Sequence, residues 1–154
     1  MKRIGKYQNR QIFLFDYGQF KLEELPKTDW VCLATSDINP NKEKYERFVR
    51  HSIDNGILEF KGHGEYGEKL HDIFDETMVE IEIPNGIETI DIATTWHSDE
   101  TFADAFWQCF FTTTLPIRTN FENISIIITD LKGVDRSMET EEILKRFENG
   151  WIPD

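Results

Sequence analysis

Blocks of apolar residues separated by polar turns predict that strands and helices alternate along this chain. β-rich runs occupy residues 10–18 (RQIFLFDYG), 29–37 (DWVCLATSD) and 57–62 (ILEFKG), and each ends in polar or turn-forming residues. A fourth run, residues 123–131 (NISIIITDL), is apolar almost throughout. That pattern is typical of an internal strand covered on both faces.

Between these runs, apolar residues recur at helical spacing. The first such helix is predicted to begin at Asn39-Pro40 and to stop at Asn55-Gly56, and later helices are predicted to be capped by Ser98 and Ser137. The later helices are predicted over residues 65–78, 98–111 and 137–148.

The alternation of strands and helices predicts an α/β fold. Helical crossovers between apolar strands favour a mostly parallel sheet with helices on both faces, which is a Rossmann-like three-layer sandwich. Residues 79–96 alternate about Pro84-Asn85-Gly86, which favours an antiparallel hairpin over a helix-to-strand connection. No linker or repeat divides the chain, so residues 1–154 are predicted to form a single domain.

Composition and charge narrow the classes of function. The chain has 17 Lys and Arg against 29 Asp and Glu, a formal net charge of −12, which disfavours nucleic acid and favours a basic protein partner. No run is long and apolar enough to span a membrane, and the N-terminus lacks the features of a secretory signal. A cytoplasmic location is therefore expected, with Cys32 and Cys109 as buried, unpaired thiols.

A glycine motif, Gly62-x-Gly64-x-x-Gly67, follows a predicted strand and precedes a predicted helix, as in dinucleotide-binding proteins. Glu65 and Glu68 place negative charge where a phosphate would bind, which opposes that function. Glu68-x-x-His71 supplies only half of a di-metal motif. We therefore expect neither a cofactor nor a metal.

Candidate site residues gather at the predicted carboxyl ends of the strands, where open α/β sheets bind ligands. Two histidines among carboxylates suit either a binding surface or general acid–base chemistry. No complete catalytic set is recognisable, so no catalytic residue is assigned. The candidates for partner binding or for a cleft are Asp37, His63, Glu65, His97, Asp99 and Glu100.

A second candidate surface lies on the helix over residues 101–111 (TFADAFWQCFF). Its core stripe is regular, but Trp107 and Phe111 extend the apolar surface to another side. Packing against the C-terminal Gly150–Pro153 segment would explain both residues. The alternative is an interface for a partner or for a homodimer.

In size and acidity the chain resembles bacterial immunity proteins, which neutralise a toxin domain, often a basic nuclease, by binding it. The resemblance implies stoichiometric inhibition of a basic partner and assigns no residue. The alternative is a small enzyme or nucleotide-binding regulator whose cleft contains His63, His97 and Asp99. A third hypothesis is a structural subunit that acts by oligomerising.

Overall fold

A computed structural model describes residues 1–87, 89–118 and 121–154 of the chain. Within those residues one six-stranded sheet is accompanied by four α-helices and a short 3-10 turn. The strands are β1 Lys2–Tyr7, β2 Arg10–Phe15, β3 Trp30–Thr35, β4 Ile57–His63, β5 Ala93–His97 and β6 Ile124–Asp130. The helices are α1 Lys42–Asp54, α2 Gly67–Asn85, α3 Phe102–Phe111 and α4 Ser137–Glu148.

The strand order is β1-β2-β6-β3-β4-β5, and every neighbouring pair is parallel except β1 with β2. The predicted α/β class and mostly parallel sheet are confirmed. β6 lies between β2 and β3, as its apolar sequence predicts. β1 was not predicted; it joins β2 through Gln8 and Asn9, which both have positive φ angles, as a two-residue hairpin turn requires.

The predicted hairpin over residues 79–96 is wrong. Its first half is helical, since α2 continues to Asn85 with Pro84 in its last turn, and β5 runs parallel to β4. Gly86 (φ 64°) ends α2 and donates its N–H to the Glu82 carbonyl. An Asn-Gly pair serves equally as a hairpin turn or a helix stop, and here it stops a helix. Residue 88 lies outside the described residues.

The helix caps also differ from those predicted. Thr101, not Ser98, caps α3 in a reciprocal capping box with Asp104, and Asn41, not Asn39, caps α1. Each true cap accepts a hydrogen bond from the N–H three residues later, a geometry that only one nearby polar residue can satisfy. Ser137 is instead the first residue of α4, and its N–H and hydroxyl donate to Asp135.

Two clusters of buried hydrophobic residues form the core. Cys32 and Ala34 of β3 belong to the cluster that contains residues of α1 and α2. Val31 and Leu33 belong to the cluster that contains residues of α3 and α4. Cys32 and Cys109 are buried free thiols, as expected. Among the described residues, no helix is long and apolar enough to cross a bilayer.

Candidate functional site

Because β3, β4 and β5 are parallel neighbours, their carboxyl ends bring the predicted site residues together. The Glu65 N–H donates to Asp37 Oδ1 at 3.2 Å, joining the ends of β3 and β4. His63 is the last residue of β4, and it pairs in register with His97, the last residue of β5. The side chains predicted from strand ends therefore do form one region.

Both ring nitrogens of His63 are hydrogen-bonded. Nε2 lies 3.0 Å from the Glu100 carbonyl oxygen, and Nδ1 lies 2.8 Å from the Thr35 hydroxyl. A carbonyl only accepts, so Nε2 carries the proton. Burial lowers the pKa of His63, which favours a neutral ring whose Nδ1 accepts from Thr35. His63 therefore links β3, β4 and the loop after β5.

His97 is held in the same network. Its Nδ1 donates to Glu100 Oε2 at 2.8 Å, and its Nε2 lies 2.9 Å from the Thr95 hydroxyl. Gln108 of α3 also donates to Glu100 Oε2. The two histidines are only 8% and 6% exposed, and all four ring nitrogens have partners within the chain. This arrangement positions the loop before α3 and leaves neither ring open to a substrate.

The carboxylates around this network are open to solvent. Asp37, Glu65 and Asp99 are exposed, and the side chain of Glu100 is 38% exposed. These groups can act only as hydrogen-bond acceptors and negative charges at neutral pH. The predicted site is thus an acidic surface over a buried, internally bonded histidine pair.

The acidic surface continues along α2, which sequence reasoning did not single out. Four exposed carboxylates recur at every fourth residue, so they lie along one side of the helix. We call this row the acidic face; it consists of Glu68, Asp72, Glu76 and Glu80. The i, i+4 spacing of like charges was visible in the sequence and would have identified it.

Few cations accompany the acidic face. Lys69 donates to Asn39 Oδ1, and Arg50 of α1 pairs with Glu80 at 2.6 Å. Each like-charge i, i+4 pair on a helix costs about 0.2–0.5 kcal/mol. Three such pairs in succession therefore weaken α2 slightly, and the Arg50–Glu80 and His71–Asp72 contacts offset only part of that cost.

The glycines of the Gly62–Gly67 motif have a structural explanation. A Cβ at Gly62 would collide with the Gly67 carbonyl oxygen, and one at Gly64 (φ +87°) would lie 2.8 Å from the Ser36 carbonyl oxygen. The N–H groups of Glu65, Tyr66 and Gly67 are already hydrogen-bonded within the chain. The loop lets β3, β4 and α2 approach closely and does not offer those amides to a phosphate.

His71, the imidazole of the Glu68-x-x-His71 motif, contacts two other carboxylates of α2. It contacts Asp72 at 2.9 Å and Asp75 at 3.3 Å on its own helix. In the described part of the chain, no group of three or more His, Cys, Asp or Glu side chains is arranged to hold a metal ion. Independence from metals and cofactors stays a prediction.

A buried cluster of charges, also missed by sequence reasoning, lies on the α3 side of the sheet. Lys61 Nζ donates to Glu59 Oε1 at 2.9 Å, and both side chains are 1% exposed. The Thr114 N–H donates to Glu59 Oε2, and Arg10 of β2 bonds the Cys109 carbonyl. Burial raises the pKa of Glu59, while Lys61 opposes that rise. The Glu-Phe-Lys sequence within an apolar strand was the available signal.

Trp107 and Phe111 differ in environment. Their ring centroids are 4.5 Å apart, but Trp107 is partly buried against the core cluster whereas Phe111 is 43% exposed. Trp151 of the C-terminal segment stacks on Phe147 of the same cluster. An interface at Trp107 and Phe111 stays a prediction.

A cleft at the carboxyl ends of β2 and β6 has a volume of about 330 Å³. Asp16, Tyr17, Asp130 and Arg136 are among the residues that line it, and Arg136 pairs with Asp130 at 2.8 Å. The Tyr17 hydroxyl is buried without a hydrogen-bond partner among the described residues. None of the six predicted site residues lines this cleft, because the strand order places β2 and β6 away from β4 and β5.

Fold and site together define an α/β protein with an acidic surface at the ends of its strands. The profile of the family described as "Domain of unknown function (DUF7684)" matches residues 15–147, and the chain belongs to this family. Comparisons with curated proteins and with solved structures gave no match.

Proposed function

We propose that the protein is an acidic protein-binding module that acts by stoichiometric binding to a basic partner. In the manner of immunity proteins, binding would neutralise a basic toxin or nuclease domain. The observation that carries the proposal is the acidic face of α2, which continues into the exposed carboxylates Glu65 and Asp99. Charges that cost helix stability and are left facing solvent are best explained by a cationic partner.

Two features of the predicted site support binding over catalysis. The rings of His63 and His97 are buried and fully hydrogen-bonded. The exposed groups around them are carboxylates, which steer a cationic surface during association and disfavour anionic competitors. A broad, single-sign surface of this kind suits rapid recognition of a protein.

We also propose a layer arrangement for the fold and a cellular location for the protein. The two core clusters, one with α1 and α2 and the other with α3 and α4, support a three-layer, Rossmann-like sandwich formed as a single domain over residues 1–154. Two buried free thiols suit a reducing, cytoplasmic setting.

Affinity capture with matched variants tests the proposal. The α2-neutral variant is Asp72→Asn with Glu76→Gln, and the α4-neutral control is Glu142→Gln with Glu148→Gln; all four residues are exposed. Each variant removes two negative charges. We expect wild type and the α4-neutral control to capture the same basic protein at one-to-one stoichiometry, and the α2-neutral variant to bind it roughly tenfold more weakly. Equal affinity for both variants would reject the acidic face as the binding surface.

Charge reversal at Asp99 and Glu100 tests whether the surface extends to the end of β5. Asp99→Lys should weaken capture while the thermal melt stays near that of wild type, because Asp99 is exposed and makes no hydrogen bond through its side chain in the described structure. Glu100→Lys breaks the bonds to His97 and Gln108, so its melt must be measured beside its affinity.

The second candidate function is a small enzyme or ligand-binding regulator, favoured by the cleft at the ends of β2 and β6. Its volume of about 330 Å³ lies within the range of small-molecule sites, and burial raises the pKa of Tyr17, so its unpartnered hydroxyl remains a hydrogen-bond donor. A metabolite panel read by thermal shift tests this function. A compound that stabilises wild type but not Tyr17→Phe would support it, whereas no stabilisation by any member would count against it.

A further inference from the structure

Trp96 is a large aromatic residue that the fold leaves half exposed. It lies on β5, the last strand of the sheet, and 50% of its surface is accessible. It pairs in register with Gly62 of β4, and no described strand pairs with the outer side of β5. A partner can therefore approach the indole without displacing another strand.

His71 of α2 connects the exposed indole to two carboxylates of the same helix. The Trp96 ring lies 4.7 Å from the His71 ring, and His71 contacts both Asp72 and Asp75. Asp75 also accepts a hydrogen bond from Thr94, two residues before Trp96 on β5, at 2.6 Å. The acidic face is thus connected to the indole through Asp72 and His71.

Other aromatic rings of this chain already have a cation of their own. Arg146 lies 3.4 Å from the Trp151 centroid, Arg118 lies 4.7 Å from that of Phe121, and Lys44 lies 4.8 Å from that of Phe20. In the described residues, no Lys or Arg lies over Trp96. Trp96 is a half-exposed aromatic whose neighbour His71 bonds two carboxylates, and its ring face has not been taken by a Lys or Arg of the described residues.

We infer that Trp96 is the anchor for an arginine side chain of the basic partner, with the guanidinium stacked on the indole and hydrogen-bonded to Asp72 or Asp75. This inference rests on the proposed function and specifies its contact. Arginine fits better than lysine because its planar group stacks on an aromatic face and bonds carboxylates through a fork of N–H donors. Exposed tryptophans at such positions are common binding hot spots.

Titration with hexa-arginine and hexa-lysine peptides tests the inference, with binding followed by NMR of the backbone amide signals of α2, which every variant retains. The two peptides carry equal charge, so electrostatic steering alone would give similar affinities. Wild type should bind hexa-arginine severalfold more tightly than hexa-lysine. Trp96→Ala should weaken hexa-arginine binding roughly fivefold and remove the difference between the peptides. Met138→Ala, which truncates an exposed apolar residue of α4, should bind both like wild type.

Further variants distinguish a failure of the Trp96 anchor from a failure of the proposed function. Trp96→Leu retains an apolar contact with His71 but lacks the ring, so it should lose the arginine preference even if Trp96→Ala is poorly folded. If Trp96→Ala and Trp96→Leu bind hexa-arginine like wild type while the α2-neutral variant binds it weakly, the anchor is wrong and the proposed function stands. If the α2-neutral variant also binds like wild type, both are wrong.

Discussion

The charged residues of β4 and the acidic residues of α2 differ in both burial and pairing. Glu59 and Lys61 are buried on one face of the strand and are paired at 2.9 Å, with Arg10 nearby. The acidic face of α2 is exposed, of one sign, and mostly without cations. The fold pairs the two charges that it buries in β4, whereas on the acidic face only Glu80 has a cationic partner among the described residues. The net charge of −12 therefore belongs largely to surfaces that a partner can reach.

The largest effect is expected from breaking the buried pair. Lys61→Met leaves Glu59 without its cation in the interior and should lower the free energy of unfolding by about 3–5 kcal/mol, measured by urea denaturation. The double variant Glu59→Leu with Lys61→Met should recover most of that loss, because an apolar pair needs no partner. A small loss in Lys61→Met would mean that water or Arg10 compensates Glu59, and that the buried charges are not strictly paired.

The loss in Lys61→Met should also depend on pH. The raised pKa of Glu59 means that the folded state holds this proton more tightly than the unfolded state, and removing Lys61 strengthens that difference. Stability linked to Glu59 is therefore present at low pH and is lost as pH rises through the folded pKa. The deficit relative to wild type should be smaller at pH 5 than at pH 8. A deficit that grows on acidification would contradict this sign.

Adding a side chain in the narrow space between β4 and α2 should lower the free energy of unfolding by less than breaking the buried pair does. Gly62→Ala drives a methyl group against the Gly67 carbonyl and should cost about 1–3 kcal/mol of stability, measured in the same denaturation assay.

The Gly62–Gly67 motif of the wild-type protein should show no heat of binding with NAD or ATP in a calorimetric titration, because its amides are already hydrogen-bonded within the chain. Micromolar binding of either nucleotide would overturn this explanation of the glycines.

The buried histidine should contribute a modest dependence of stability on pH. Burial lowers the pKa of His63, so its contribution is present above the ordinary value near 6.5 and is lost as pH falls. Between pH 6.5 and 5, wild type should lose stability more steeply than His63→Gln, by at most about 1.4 kcal/mol per pH unit. Parallel curves would show that His63 titrates alike in the folded and unfolded states.

The smallest expected effect is a slight gain in stability rather than a loss. The α2-neutral variant removes all three like-charge pairs of the acidic face, so its free energy of unfolding should equal or slightly exceed that of wild type, by at most about 0.2–0.5 kcal/mol per pair, measured by urea denaturation. Weaker binding from a protein of equal or greater stability would separate function from folding. A clear loss of stability would show that Asp72 or Glu76 has a structural role.

The strands and helices that were predicted correctly are those that a local pattern of apolar residues determines. The isoleucine-rich run of β6 identified an internal strand, and the apolar spacing of α1 to α4 identified four helices. Asn85-Gly86 led to the wrong prediction of a hairpin, because the same left-handed backbone conformation can either end a helix or form a hairpin turn. β1 was missed because Gln8-Asn9 contains no glycine to signal a turn.

Contacts within the site depend on strand order, which local pattern does not contain. Asp37, His63 and Glu65 were found because strand ends are recognisable from sequence. The bonding of His63 to Thr35 and to the Glu100 carbonyl follows from β3, β4 and β5 being neighbours. The exposure of Trp96 follows from β5 being at the edge, and the cleft beside Tyr17 follows from β6 lying next to β2.

The most direct test of the acidic face is the salt dependence of association with the captured partner. Electrostatic attraction is screened over about 8 Å at physiological ionic strength and acts mainly on the association rate. The association rate of wild type and of the α4-neutral control should fall steeply as salt rises, while the dissociation rate changes little. The α2-neutral variant should give a slower rate and a shallower slope. Equal slopes for the α2-neutral and α4-neutral variants would contradict the claim that α2 recognises the partner.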